Sequence, residues 1–234
     1  MNLIISPRKV VRVLIVIVIV VTIASLVGQF YKFFLFNGQE RYLVNLFSLD
    51  KEYNFPTWYQ TISELICSLL IVIIFMSAKT DNDRFKYHWL GLSFIFLLIA
   101  TDEILVLHEQ IISPLRKLLG TGGFLYMAWI IPAIILGIVF LIAYFKFLRS
   151  LPSTTRKQFI SAGLIFVLGA VGIEAIGGKI TTVIGQNNIT YSLITHVEEI
   201  LEMTGILLFI HSLLWYIQNH YPTLTFSVRN KNQK

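Results

Sequence analysis

The chain has 234 residues, 56% of them hydrophobic and 14% charged, against roughly 25% charged in a typical soluble domain. With 18 Phe, 10 Tyr and 4 Trp, a mean hydropathy of +0.72 and a formal charge of +6, it carries more apolar surface than an aqueous fold can bury. This excludes a soluble globular enzyme and a disordered chain, and the single cysteine, Cys67, excludes a disulfide scaffold and Cys-based zinc or iron–sulfur sites.

What remains is an all-α polytopic membrane bundle. Six stretches are long and apolar enough to cross a bilayer, at about 10–30, 57–78, 88–110, 124–148, 158–179 and 189–218. The first has a basic start (Arg8, Lys9, Arg12) but no small-residue cleavage site, and reads as a retained helix. Residues 31–56 read as an aromatic interfacial segment and a turn ending in Pro56. Residues 111–123, with Pro114, Gly120, Gly122 and Gly123, read as a short interfacial turn of helix. One bundle domain therefore spans 1–222, followed by a basic, disordered tail over 223–234.

Lys and Arg orient the bundle. The N-terminus, the 79–88 loop, the 146–157 stretch and the tail hold 13 of them, and the other side holds 6. The positive-inside rule puts both termini in the cytoplasm of a cell inner membrane or plasma membrane protein. Trp58 and Trp129 then fall at the outer interface, and Trp89 and Trp215 at the inner one. The same bias accounts for the net charge without a nucleic-acid partner. The lipid bilayer is the partner the composition implies, with room for a small-molecule or lipid substrate and for a homo-oligomer.

Thirteen acids are present, and eight fall within or at the ends of spans: Glu64, Asp102, Glu103, Glu109, Glu174, Glu198, Glu199 and Glu202. Each costs roughly 2.5–3.5 kcal/mol at the bilayer centre on insertion scales. All eight, with His108 and His196, lie at similar depth toward one side. Asp102 and Glu109, seven residues apart, would share a helix line, as would Glu198 with Glu202. Ala162, Ala170, Glu174 and Gly178 form a small-residue stripe that lets a neighbouring helix approach. Arg116, Lys117 and Lys179 are the cations nearest in sequence, too few to neutralise eight acids. Protons or a bound cation must compensate the rest.

Asp102-Glu103 with His108-Glu109, Trp129-Ile130-Ile131-Pro132, Gly172-Ile173-Glu174 with Gly177-Gly178, and Glu198-Glu199 with Glu202 and Gly205 together resemble a family of uncharacterised bacterial multi-pass membrane proteins. Asn54-Phe55-Pro56-Thr57-Trp58-Tyr59 is similar to that family's lead into the second span. The resemblance covers about residues 45–218 and implies the span assignment, but no activity.

Three chemistries fit. The first is a divalent metal site (Zn, Mn or Fe) built from Asp102, Glu103, His108, Glu174, His196, Glu199 and Glu202. With an open position it would support a metal-dependent membrane hydrolase, in which Glu103, Glu174 and Glu199 are the catalytic candidates. The second is a proton- or cation-coupled transporter with Glu174 or Glu202 deepest. The third is a non-catalytic membrane subunit or assembly factor. Glu198-Glu199 resembles the acidic pair of CAAX-type membrane proteases, but Met203 stands where those carry Arg. No nucleotide or flavin fingerprint is present.

Overall fold

The computed structural model describes residues 6–35, 39 and 41–221; the basic tail lies outside them. Six of its helical segments are long and apolar enough to cross a membrane. The first is α1, Pro7–Phe30, which runs on through a π-helical turn at Tyr31–Leu35. A short helix α2, Tyr42–Phe47, leads to α3, Phe55–Thr80. The α3 start is specified locally. Asn54 caps it by accepting from the Thr57 amide at 3.3 Å, and Pro56 sits in the first turn, where a missing N–H costs nothing.

Helix α4, Lys86–Leu105, returns antiparallel along α3. Ser68 and Ser93 clamp the pair, each hydroxyl donating to the other's carbonyl at 3.0 and 3.1 Å. The anticipated single span over 88–110 is not continuous. Val106 adopts a left-handed conformation at φ 53°, and a separate amphipathic helix α5, Leu107–Leu119, begins there. That conformation is costly for a β-branched residue. The predicted alignment of Asp102 with Glu109 on one helix line is therefore lost.

Helix α6, Ile130–Ser150, is the most peripheral span, with its apolar side chains turned outward from Ile134 to Phe145. The fifth span joins α7, Ser153–Val167, a π-helical turn at Leu168–Ile173, and α8, Glu174–Ile184. The last, α9, Ile189–His220, is the central helix and packs on α1, α3, α7 and α8. Two glycines let the fifth span approach α9 backbone to backbone. A Cβ at Gly205 would lie 2.8 Å from the Phe166 backbone nitrogen, and one at Gly169 would lie 2.8 Å from the Glu198 carbonyl oxygen.

The end assigned to the inside is filled by apolar and aromatic side chains. Trp89 packs against Phe147 and Tyr216 at centroid distances of 4.8 and 5.1 Å, and Phe209 against Phe96 and Phe159 at 4.8 and 4.5 Å. Ile71, Ile74, Ile210 and Leu213 complete this plug with no solvent exposure. Trp89 is thus a core residue, 1% exposed, and not the interfacial anchor its position suggests.

Candidate functional site

The opposite half of the bundle encloses a chamber of about 890 Å³. Ten of the chain's carboxylates line it: Asp50, Glu52, Glu64, Asp102, Glu103, Glu109, Glu174, Glu198, Glu199 and Glu202. Among the described residues, only Lys32, Lys51, Arg116 and His108 supply positive charge around its wall. Of the three cations anticipated from sequence, Arg116 alone takes part. Its guanidinium stacks on Tyr126 at 4.0 Å from the ring centroid, holding that charge at the rim.

Depth follows from helix geometry. Glu64 lies nine residues into α3, about 14 Å along its axis, and Glu202 thirteen residues into α9, about 20 Å. Gln60, one turn before Glu64, donates to Glu202 Oε2 at 3.1 Å and joins the two helices at the chamber floor. Glu64 therefore sits about a third of the way along its helix. It is completely buried, and neither of its carboxylate oxygens has a hydrogen-bond partner among the described residues. Glu174, 8% exposed, likewise has an unpartnered Oε2. A buried, unpartnered carboxylate retains the full cost of its desolvation, several kcal/mol for an ion.

The break at Val106 makes a carboxylate–imidazole pair. Asp102 Oδ1 accepts from the His108 amide at 2.9 Å, and Oδ2 lies 2.7 Å from His108 Nδ1. The imidazole also packs on Trp129 at a centroid distance of 5.0 Å. His108 lines the chamber, and no hydrogen bond engages its Nε2 among the described residues. Burial opposes a charge on this ring, but the Asp102 bond and charge, with Glu174 and Glu109, outweigh it and push the pKa up to about 9. The ring is accordingly an imidazolium at neutral pH.

The other histidine of the anticipated site turns away from the chamber. His196 Nδ1 faces the Ser192 carbonyl at 2.7 Å, so that nitrogen carries the proton. Its Nε2 then accepts from Ser25 Oγ at 2.7 Å, and the same hydroxyl accepts from the Leu49 amide at 2.9 Å. Both ring nitrogens are engaged, Nδ1 within α9 and Nε2 in the link to α1. Of the seven residues read as metal ligands, the fold brings Asp102, Glu103, His108, Glu174, Glu199 and Glu202 around one space and leaves out His196. The three catalytic candidates, Glu103, Glu174 and Glu199, all line it.

Asp50 and Glu52 read in the sequence as loop acids, yet they line the chamber. Asn54 folds their loop inward, donating from Nδ2 to the carbonyls of Asn45 and Ser48 at 2.9 and 2.7 Å. Thr57 Oγ1 donates to Glu52 Oε2 at 3.3 Å. Burial raises the pKa of Glu52, and the charge of Glu109 adds to this.

Among the described residues no three His, Cys, Asp or Glu side chains converge closely enough to form a ready metal cage. The carboxylates stand apart around a wide space. Such a donor set fits an ion held by one or two carboxylates that keeps several waters. It does not fit the closed tetrahedral nitrogen and sulfur site preferred by zinc.

No curated protein sequence and no solved structure shows a significant match to the chain. A family model described as a domain of unknown function (DUF8692) matches residues 13–217. The chain is a multi-pass helical membrane protein and belongs to this uncharacterised family.

Proposed function

We propose that the outer chamber binds a divalent cation and presents it to a small-molecule or lipid substrate for hydrolysis. The observation that carries this reading is Glu64, a fully buried carboxylate without a hydrogen-bond partner among the described residues, in a chamber lined by nine further acids. A cation there offsets both its desolvation and the mutual repulsion of the wall. Glu174 and Glu202 hold it through oxygen beside the charge of Glu64, waters complete its shell, and such oxygen donors favour Mn²⁺ over Zn²⁺. When bound, such an ion polarises a carbonyl or phosphoryl oxygen and acidifies its water.

The remaining roles belong to the chain. Asp102 fixes the orientation of His108, whose charged ring donates from Nε2 to an anionic oxygen of the substrate. Glu103 and Glu199 are the groups that accept and return a proton. The aromatic plug speaks against the alternative of a coupled carrier. A relay through the inner half would have to run past the buried Trp89, Phe147 and Phe209, where the core cluster contains no carboxylate among the described residues.

The test is elemental analysis of the detergent-purified protein after equilibration with Mn²⁺, Zn²⁺ or Fe²⁺, beside Glu174→Gln and Glu202→Gln. Near-stoichiometric metal in the wild type and loss in both variants is expected. A wild type that retains none of the three ions overturns the reading.

A further inference from the structure

A second charged site lies at the other end of the molecule, independent of the chamber. Where the start of α4 meets the end of α6, a pocket of about 380 Å³ is lined by Arg84, Phe85, Phe145, Lys146, Arg149 and Ser150. Three of these six residues are cations and none is an acid. None of the three pairs with a carboxylate among the described residues. The nearest acid in sequence, Asp83, already accepts from the Phe85 amide at 2.7 Å through Oδ1.

Two of the cations are held in place by rings. The Arg84 guanidinium lies 4.6 Å from the Phe85 centroid, and the Arg149 guanidinium 5.7 Å from that of Phe145. A further positive group approaches from α7, where Arg156 Nη1 donates to the Arg149 carbonyl at 3.1 Å.

The surroundings identify the kind of anion. Phe145 is 58% exposed and continues an outward apolar strip formed by Ile134, Ile138, Leu141 and Ile142 on α6. In a bilayer this strip meets acyl chains, and the cations sit one turn beyond it, at headgroup level. The charge bias assigns this end to the cytoplasmic leaflet, where anionic lipids make the surface potential negative. A soluble anion uses the cations alone, whereas a phospholipid uses cations and strip together.

We propose that this pocket holds the phosphate headgroup of an anionic phospholipid whose acyl chains lie along the exposed face of α6. Arg84 and Arg149 clamp the phosphate and Lys146 adds charge, while the Ser150 hydroxyl stays donated to the Phe147 carbonyl at 2.7 Å.

The test is lipid retention by native mass spectrometry of the full-length protein released from mixed micelles. These contain phosphatidylglycerol and phosphatidylcholine in equal amounts. The wild type should retain phosphatidylglycerol preferentially, and inorganic phosphate should not displace it. Arg84→Gln/Arg149→Gln should weaken retention by about 30-fold, the worth of two cations near an anionic headgroup. Arg84→Lys/Arg149→Lys, which keeps the charge, should restore most of it, and Lys117→Gln, outside the pocket, should change nothing. Equal retention by the wild type and the Gln pair, or no preference for phosphatidylglycerol, overturns the proposal. Displacement by inorganic phosphate at similar concentration also overturns it, by showing a free-anion site without a lipid.

Discussion

The Asp102–His108 pair makes the most direct test of the chamber's electrostatics. Asp102→Asn keeps the size of the side chain and an acceptor for the His108 amide, but removes the charge that faces Nδ1. A ring whose pKa rises from 6.5 to about 9 prefers its charged form by about 3 kcal/mol more than a free imidazole does. The folded value lies above the unfolded one, so this stabilisation is fully present below about pH 6.5. It is lost as the pH rises through 9. In the variant the His108 pKa should fall, because burial then acts with one opposing charge fewer. The loss of stability between pH 6.5 and 9 should shrink with it. Cε1-labelled histidine followed by NMR in micelles reads the titration directly, with His108→Gln to assign the signal. Thermal unfolding across the same pH range reads the linkage. A wild-type midpoint at or below 6.5, or a midpoint that Asp102→Asn leaves in place, refutes the reasoning.

Further outcomes follow from packing and burial. Gly205→Ala places a methyl against backbone atoms of α7 and should destabilise the protein by about 1–3 kcal/mol. Gly163→Ala, on an open face of the same helix pair, should be neutral or slightly stabilising; equal thermal shifts for the two would refute the close-approach argument. His196→Ala removes the link between Ser25 and Ser192 and should cost about 1–2 kcal/mol, without affecting metal content in elemental analysis. Glu64→Leu exchanges an unpartnered buried carboxylate for an apolar group. It should raise the midpoint of metal-free unfolding by the equivalent of about 1–3 kcal/mol while lowering cation affinity in calorimetry. Glu52→Gln should protect the fold at high pH, because an acid whose pKa is raised by burial destabilises it once ionised; a pH–stability profile that superimposes on the wild type counts against this.

The spans were legible because about 20 apolar residues in a row leave a chain few alternatives to crossing a bilayer, and all six are present. The gathering of acids was legible for a related reason. Each costs enough in lipid that so many at one depth must share a polar space. Position 106 was not legible. Valine has no turn signature, and its left-handed backbone is stabilised from outside by the Asp102 carboxylate reaching the His108 amide. The role of His196 was hidden because its partner Ser25 is 171 residues away in sequence. Asp50 and Glu52 joined the wall through hydrogen bonds that Asn54 makes backward along the chain, a feature that loop composition does not encode. Gln60 carried a visible signal, since it stands one helical turn from Glu64 and shares its face.

The aromatic plug has a consequence for how membrane voltage acts on the protein. A solvated vestibule follows the potential of the compartment it opens to, so the transmembrane voltage falls mainly across the dry half of the bundle. A cation that reaches Glu64 or Glu202 therefore crosses little of the field, and its affinity should barely respond to polarisation. The layer of Trp89, Phe147 and Phe209 bears nearly the whole drop, about 2.3 kcal/mol per elementary charge for every 100 mV.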